Sequence, residues 1–126
     1  MSIELVVADP RVGARDALRH IIEGWGWTVV GEADDALEAV RLARELTPDA
    51  LLLDSTAGDL DVEEMFAMGP PGTRPLVVRL IDQPQQHASS ATVTVLKGVP
   101  GDRLHSLISD ALEQHASSEA SRVGAR

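Results

Sequence analysis

The sequence predicts an α/β fold with a parallel sheet covered by helices on both faces, and three observations carry that prediction. Short runs of branched apolar residues recur without polar alternation, the pattern of strands buried on two sides. Between the runs, apolar residues return at helical spacing. Two runs, Leu5-Val6-Val7-Ala8-Asp9 and Leu51-Leu52-Leu53-Asp54, each stop at an aspartate.

Ile3 to Ala8 is the first predicted strand, ended by Asp9-Pro10 because proline cannot continue the pairing. A helix follows from about Val12 to Trp25, with Leu18, Ile21, Ile22 and Trp25 on its buried face and Gly24 and Gly26 at its end. Thr28 to Ala33 is the second strand. Asp35 caps the next helix, with Glu38 placed to complete a capping box. That helix runs to about Leu46 and buries the small residues Ala36, Ala39, Val40 and Ala43 before Thr47-Pro48-Asp49 breaks it. Ala50 to Asp54 is the third strand.

A loop from Ser55 to Leu60 leads into a short helix from about Asp61 to Met68, with Val62, Met65 and Phe66 inward and Gly69-Pro70-Pro71-Gly72 closing it. Leu76 to Ile81 is the fourth strand and Ala91 to Leu96 the fifth, ending at Lys97. Between them Asp82 to Ser90 is polar and lacks an apolar stripe, so the helix expected in that connection is shortened or absent. Pro100-Gly101-Asp102 introduces a last helix with Leu104, Leu107, Ile108, Ala111 and Leu112 on one face. The small and polar residues after His115 carry no period, which predicts a folded domain over 1–115 and a disordered tail over 116–126.

This alternation implies right-handed crossovers and a doubly wound, five-stranded parallel sheet, for which the flavodoxin-like order 2-1-3-4-5 is the natural choice. Binding sites in such sheets lie beyond the carboxyl ends of the strands, at the switch point between strands 1 and 3. Asp9 and Asp54 stand there, with Lys97 further out. Two carboxylates at adjacent strand ends repel one another unless a cation lies between them, which suggests a hard, oxygen-loving metal such as magnesium. An ionised Asp54 could then attack phosphorus while Lys97 offsets charge on the transferring oxygens.

Composition narrows the alternatives. With 126 residues and 44% hydrophobic content, a single domain can bury a core. There is no cysteine, and His20, His87, His105 and His115 lack ligand spacing, which argues against structural zinc. A net charge of −9 with scattered basic residues disfavours direct contact with nucleic acid. The amino terminus has no basic leader, and no apolar run approaches a membrane span, so a cytoplasmic protein is expected. A flavin or nucleotide site would want a glycine-rich loop after strand 1, where Asp9-Pro10-Arg11-Val12-Gly13 offers an acid and a proline. Trp25 is expected in the core and Trp27 over the sheet edge.

Over about residues 3 to 115 the sequence resembles the receiver domains of bacterial two-component response regulators, closest to those joined to helix-turn-helix outputs. The resemblance rests on Leu5 to Asp9 followed by Arg15-Asp16-Ala17-Leu18, on Val29 to Ala33, on Pro48 to Asp54, and on Leu96-Lys97. It implies that Asp54 is the phosphoacceptor, Lys97 the phosphate-contacting lysine, and Asp9, Asp54 and the backbone carbonyl of Thr56 the ligands of magnesium. It further implies a histidine kinase or phosphotransfer protein as donor, a downstream protein partner, and no catalytic activity of the chain's own, with homodimerisation left open. Where the family has a second acid after strand 1 this chain has Pro10, so magnesium should bind weakly. The expected hydroxyl of strand 4 falls on Leu80, and the expected aromatic switch residue falls on Thr94. Asp82, two residues past Leu80, reads as a solvated loop acid or as a substitute carboxylate leaning into the pocket. Two readings follow: a stand-alone phosphorylated receiver, and a pseudo-receiver that binds or dimerises without phosphate.

Overall fold

The continuous apolar runs become the strands of one sheet, because only a strand covered on both faces can hide every side chain of Leu5 to Ala8 or Leu51 to Leu53. In the computed structural model, which describes residues 2–58, 60–68, 74–82 and 93–124, the strands are β1 (Glu4–Ala8), β2 (Thr28–Ala33), β3 (Ala50–Asp54), β4 (Leu76–Ile81) and β5 (Val93–Leu96). All pairings are parallel and the order is β2-β1-β3-β4-β5, as expected. The helices are α1 (Val12–Gly24), α2 (Ala36–Leu46), α3 (Val62–Ala67) and α4 (Gly101–Gly124), with a 3-10 turn at Ser55–Ala57.

Two apolar layers clothe the sheet. On one face α2 and α3 press Ala36, Ala39, Val40, Ala43, Val62 and Phe66 against Val6, Leu51 and Leu53. On the other, α1 and α4 bring Ile22, Leu104 and Ile108 onto Leu5, Leu52 and Val78. A side chain such as Leu52, 1% exposed, contributes about 1.5–3 kcal/mol by leaving water, so the sheet centre fixes the strand ends rigidly. In β2 the register slips by one residue between Leu5 and Val6, and Gly31 then lies under α2, where a Cβ would meet Leu46 Cδ1 at 3.1 Å. Asp35 caps α2 by accepting a hydrogen bond from the Glu38 amide at 2.9 Å.

Three expectations need correcting. Ile21 is 40% exposed, because α1 turns Ile22 and Leu18 to the sheet instead. Trp25 packs against the core but is only half-buried, because it shares a ring cluster with the half-buried Trp27 and with His105, stacking on His105 at 4.9 Å between centroids. The predicted disorder after His115 is replaced by helix, since α4 continues to Gly124. Ala116, Glu119, Ala120 and Arg122 are good helix formers, and extending an existing helix costs far less than starting one. The connection on which a shortened fourth helix was expected lies outside the described residues from 83 to 92, as do the residues 69–73 expected to close α3. Among the described residues no helix is long and apolar enough to cross a membrane.

Candidate functional site

Backbone pairing delivers the three sequence-selected side chains to one place. Asp9 follows β1, its amide bonded to the Ala33 carbonyl at 3.0 Å, and Lys97 follows β5, its amide bonded to the Ile81 carbonyl at 2.8 Å. Asp54 ends β3 between them. Both carboxylates are almost fully buried, Asp9 at 1% and Asp54 at 3% exposure. Lys97 Nζ lies 2.8 Å from Asp54 Oδ1, so strands β1, β3 and β5 converge as expected.

Two further residues complete the cluster, and sequence reasoning did not select the first. Arg11 donates from Nε to Asp9 Oδ1 at 3.1 Å and from Nη2 to Asp9 Oδ2 at 3.0 Å, while Nη2 also lies 3.3 Å from Asp54 Oδ1. Its backbone amide bonds Asp9 Oδ1 at 2.8 Å. The second is Asp82, read from the sequence either as a solvated loop acid or as a substitute carboxylate leaning into the pocket; it is 56% exposed, yet its Oδ1 sits 3.1 Å from Lys97 Nζ and its Oδ2 accepts from the Ser55 hydroxyl at 3.5 Å. Arg11 was legible only as a cation two residues from an aspartate, since its aim depends on the path taken after Pro10. Asp82 lies two residues past Leu80, which pairs with Asp54 in register and sets buried hydrocarbon beside it.

Thr56 approaches Asp54 through its amide, 2.9 Å from Oδ2, and through its hydroxyl, which donates to the same oxygen. The two oxygens of Asp54 are therefore distinct: Oδ2 is held by neutral donors and Oδ1 faces two cations. Burial pushes the Asp54 carboxyl up, but the hydrogen bonds from Lys97 and from Thr56 outweigh it and hold the group below the ordinary aspartate value. Burial likewise disfavours the Lys97 ammonium, yet its bonds to Asp54 and Asp82 raise it above the ordinary lysine value. Asp54 is thus a buried carboxylate held in its charged form beside a charged ammonium.

Beyond the cluster, Arg15 fixes the loop by donating to the Asp9 carbonyl at 2.7 Å and to Asp34 at 2.7 Å. Arg15 and Arg19 clamp Glu32, which hydrogen bonds from Arg19 hold below the ordinary glutamate value despite partial burial.

Magnesium requires about six oxygens in a near-octahedral array. This chain offers two carboxylates and the Thr56 carbonyl, with Pro10 at the position of the further acid. Both carboxylates already bind the Arg11 guanidinium, and no group of three or more His, Cys, Asp or Glu among the described residues could hold a metal ion. Waters can fill much of such a shell, so the obstacle is Arg11: magnesium finds both carboxylates already taken by the guanidinium and would have to displace it.

A parallel sheet of this order, with acids after β1 and β3 and a lysine after β5 gathered at its carboxyl end, is the arrangement that the resemblance to receiver domains implied. No family model matches the chain. The chain is 26% identical to the signal receiver domain of a modulated diguanylate cyclase from Desulfovibrio desulfuricans, with a TM-score of 0.72 over 90% of this chain and 96% of that one. A CheY-like receiver domain from Methanospirillum hungatei superposes with a TM-score of 0.76 at 16% identity, covering 94% of this chain and 99% of that one. Among curated proteins, a response regulatory protein of Vibrio cholerae is 28% identical over 93% of the chain and 51% of its own length. The chemotaxis protein CheY of Listeria monocytogenes is 32% identical over 52% of the chain and 55% of its own length. The chain thus shares the fold of response-regulator receiver domains and is similar to them in sequence. It spans about half the length of these curated relatives.

Proposed function

We propose that this receiver domain takes a phosphoryl group on Asp54 from a histidine kinase or phosphotransfer protein and thereby changes its affinity for a protein partner. The supporting observation is the asymmetry of the Asp54 carboxylate. Thr56 pins Oδ2, while Oδ1 stands against Lys97 Nζ at 2.8 Å, where charge on a phosphoryl group would be neutralised. In the step, an Oδ1 electron pair forms the new O–P bond as the bond from phosphorus to the donor breaks, and the leaving group keeps its electron pair. The product is an aspartyl phosphate. Lys97 and Arg11 hold the oxygens of the transferring group, and the metal expected at Asp9, Asp54 and Thr56 enters no step.

Incubation with acetyl phosphate tests the reading. Mass spectrometry should show one added phosphoryl group that maps to Asp54. An unmodified protein, under conditions that label a control receiver, would overturn it.

A second reading, a binding module indifferent to phosphate, is supported by a specific feature. Leu80, 7% exposed, stands beside Asp54 where the family would place a hydroxyl, and Thr94 is exposed in place of a switch ring. Partner binding unchanged by Asp54→Ala would favour that reading over the switch.

A further inference from the structure

The Asp9 and Asp54 carboxylates are two buried anions at neighbouring strand ends, an arrangement that is unfavourable without a positive charge between them. Here that charge belongs to the chain itself. The Arg11 fork covers both oxygens of Asp9, and its Nη2 reaches Asp54 Oδ1 at 3.3 Å, so one guanidinium bridges the pair. We propose that Arg11 is the resident cation of this pocket, standing where a divalent ion would bridge the carboxylates, so that the site receives a phosphoryl anion without metal.

Several features make Arg11 suited to that role. Pro10 fixes the preceding backbone, and the Arg11 amide is tied to Asp9 at 2.8 Å, so the stem of the side chain starts beside its target. The guanidinium keeps its charge throughout the working pH range, and its planar fork matches a carboxylate or a phosphoryl face in two-point contact. Its side chain is 59% exposed while its partners are buried, so it covers Asp54 on the solvent side. Nη2 can therefore exchange Asp54 Oδ1 for a phosphoryl oxygen while Nε remains on Asp9. Pro10 and Arg11 also act together: one removes a carboxylate from the expected metal shell, and the other supplies the missing positive charge.

The phosphoryl part of this inference rests on the function proposed above, and the cation part does not, so two measurements separate them. The first is binding of manganese, as a spectroscopic stand-in for magnesium, followed by electron paramagnetic resonance. Wild type should show no saturable binding in the millimolar range, whereas Arg11→Ala and Arg11→Gln should each bind at least about tenfold more tightly. Adding Asp9→Asn to either variant should abolish the gain. The second is labelling by acetyl phosphate in excess chelator, where wild type should be modified at Asp54 and Arg11→Ala only after magnesium is added.

Wild type binding manganese as tightly as both Arg11 variants would overturn the resident cation, and so would wild-type labelling that needs magnesium. Failure of every protein to be labelled, alongside the gain in manganese affinity, would sink the phosphoryl reading and leave Arg11 as the bridging cation. Circular dichroism establishes that each variant is folded, and the agreement of the two Arg11 variants guards against a local collapse in one.

Discussion

Asp49 and Asp54 bracket the same buried strand, β3, and do entirely different things. At the amino end, the Asp49 carboxylate accepts the Glu4 amide at 2.8 Å, its own amide reaches the Glu4 carbonyl at 2.8 Å, and its carbonyl accepts the Leu76 amide at 3.0 Å. It staples β1, β3 and β4 through fixed backbone groups. At the carboxyl end, Asp54 instead faces Lys97 and Arg11, charged heads on long stems that can let go of it. A cavity of about 640 Å³ opens at the Asp49 end, lined by residues including Arg74 and His115, yet no cation in it contacts a buried carboxylate among the described residues. An acid's place at a strand end therefore does not define its role; the mobility and charge of its partners do.

The comparison can be broken most decisively at Asp54. Asp54→Asn should remove all phosphoryl labelling, whereas Asp49→Ala should leave it at the wild-type level; equal labelling of both would erase the distinction. Next in size is Lys97→Ala, expected to slow labelling by about 10²-fold, the scale of deleting one charge-stabilising contact. Stopped-time mass spectrometry would measure it.

A subtler effect is pH dependence. The folded pKa of Asp54 lies below its unfolded value, so the group contributes stability above the unfolded value of about 4 and loses it as pH falls through the folded value. Lys97, raised in the fold, contributes fully below about pH 10 and loses it as pH rises through its folded value. Urea midpoints measured from neutral to acid pH should fall less steeply in Asp54→Asn than in wild type; identical acid limbs would contradict the ion pairing. The smallest effect belongs to Asp49→Ala, which should cost about 1 kcal/mol in urea unfolding through the lost bond to the Glu4 amide.

The sheet was legible because its strands are continuous apolar runs and its helices carry clear stripes. Thr28–Ala33, Ala50–Asp54 and Leu76–Ile81 fall where the residues alone place them. The convergence of Asp9, Asp54 and Lys97 was legible for the same reason, since topology determines which strand ends are neighbours. Arg11 was not, and Asp82 was legible only as one of two readings, because both sit just past a strand end and their aim depends on loop dihedrals that no periodicity encodes. The continuation of α4 escaped for another reason. Its mean pattern weakens past His115, and only backbone propensity, a weak signal beside amphipathicity, marks Ala116 to Gly124 as helix.

The slipped register of β2 bears on which changes of chain length this sheet can absorb. Val30 and Gly31 share the α2 side, while Val29 points to the α1 side, so the strand carries one residue more than its partner needs. Deleting either valine yields the same shortened sequence, Thr-Val-Gly-Glu-Ala, in which every surviving side chain keeps its original facing. A deletion inside β1 or β3 would instead invert the facing of the residues beyond it, making β2 the tolerant seam of an otherwise length-intolerant sheet.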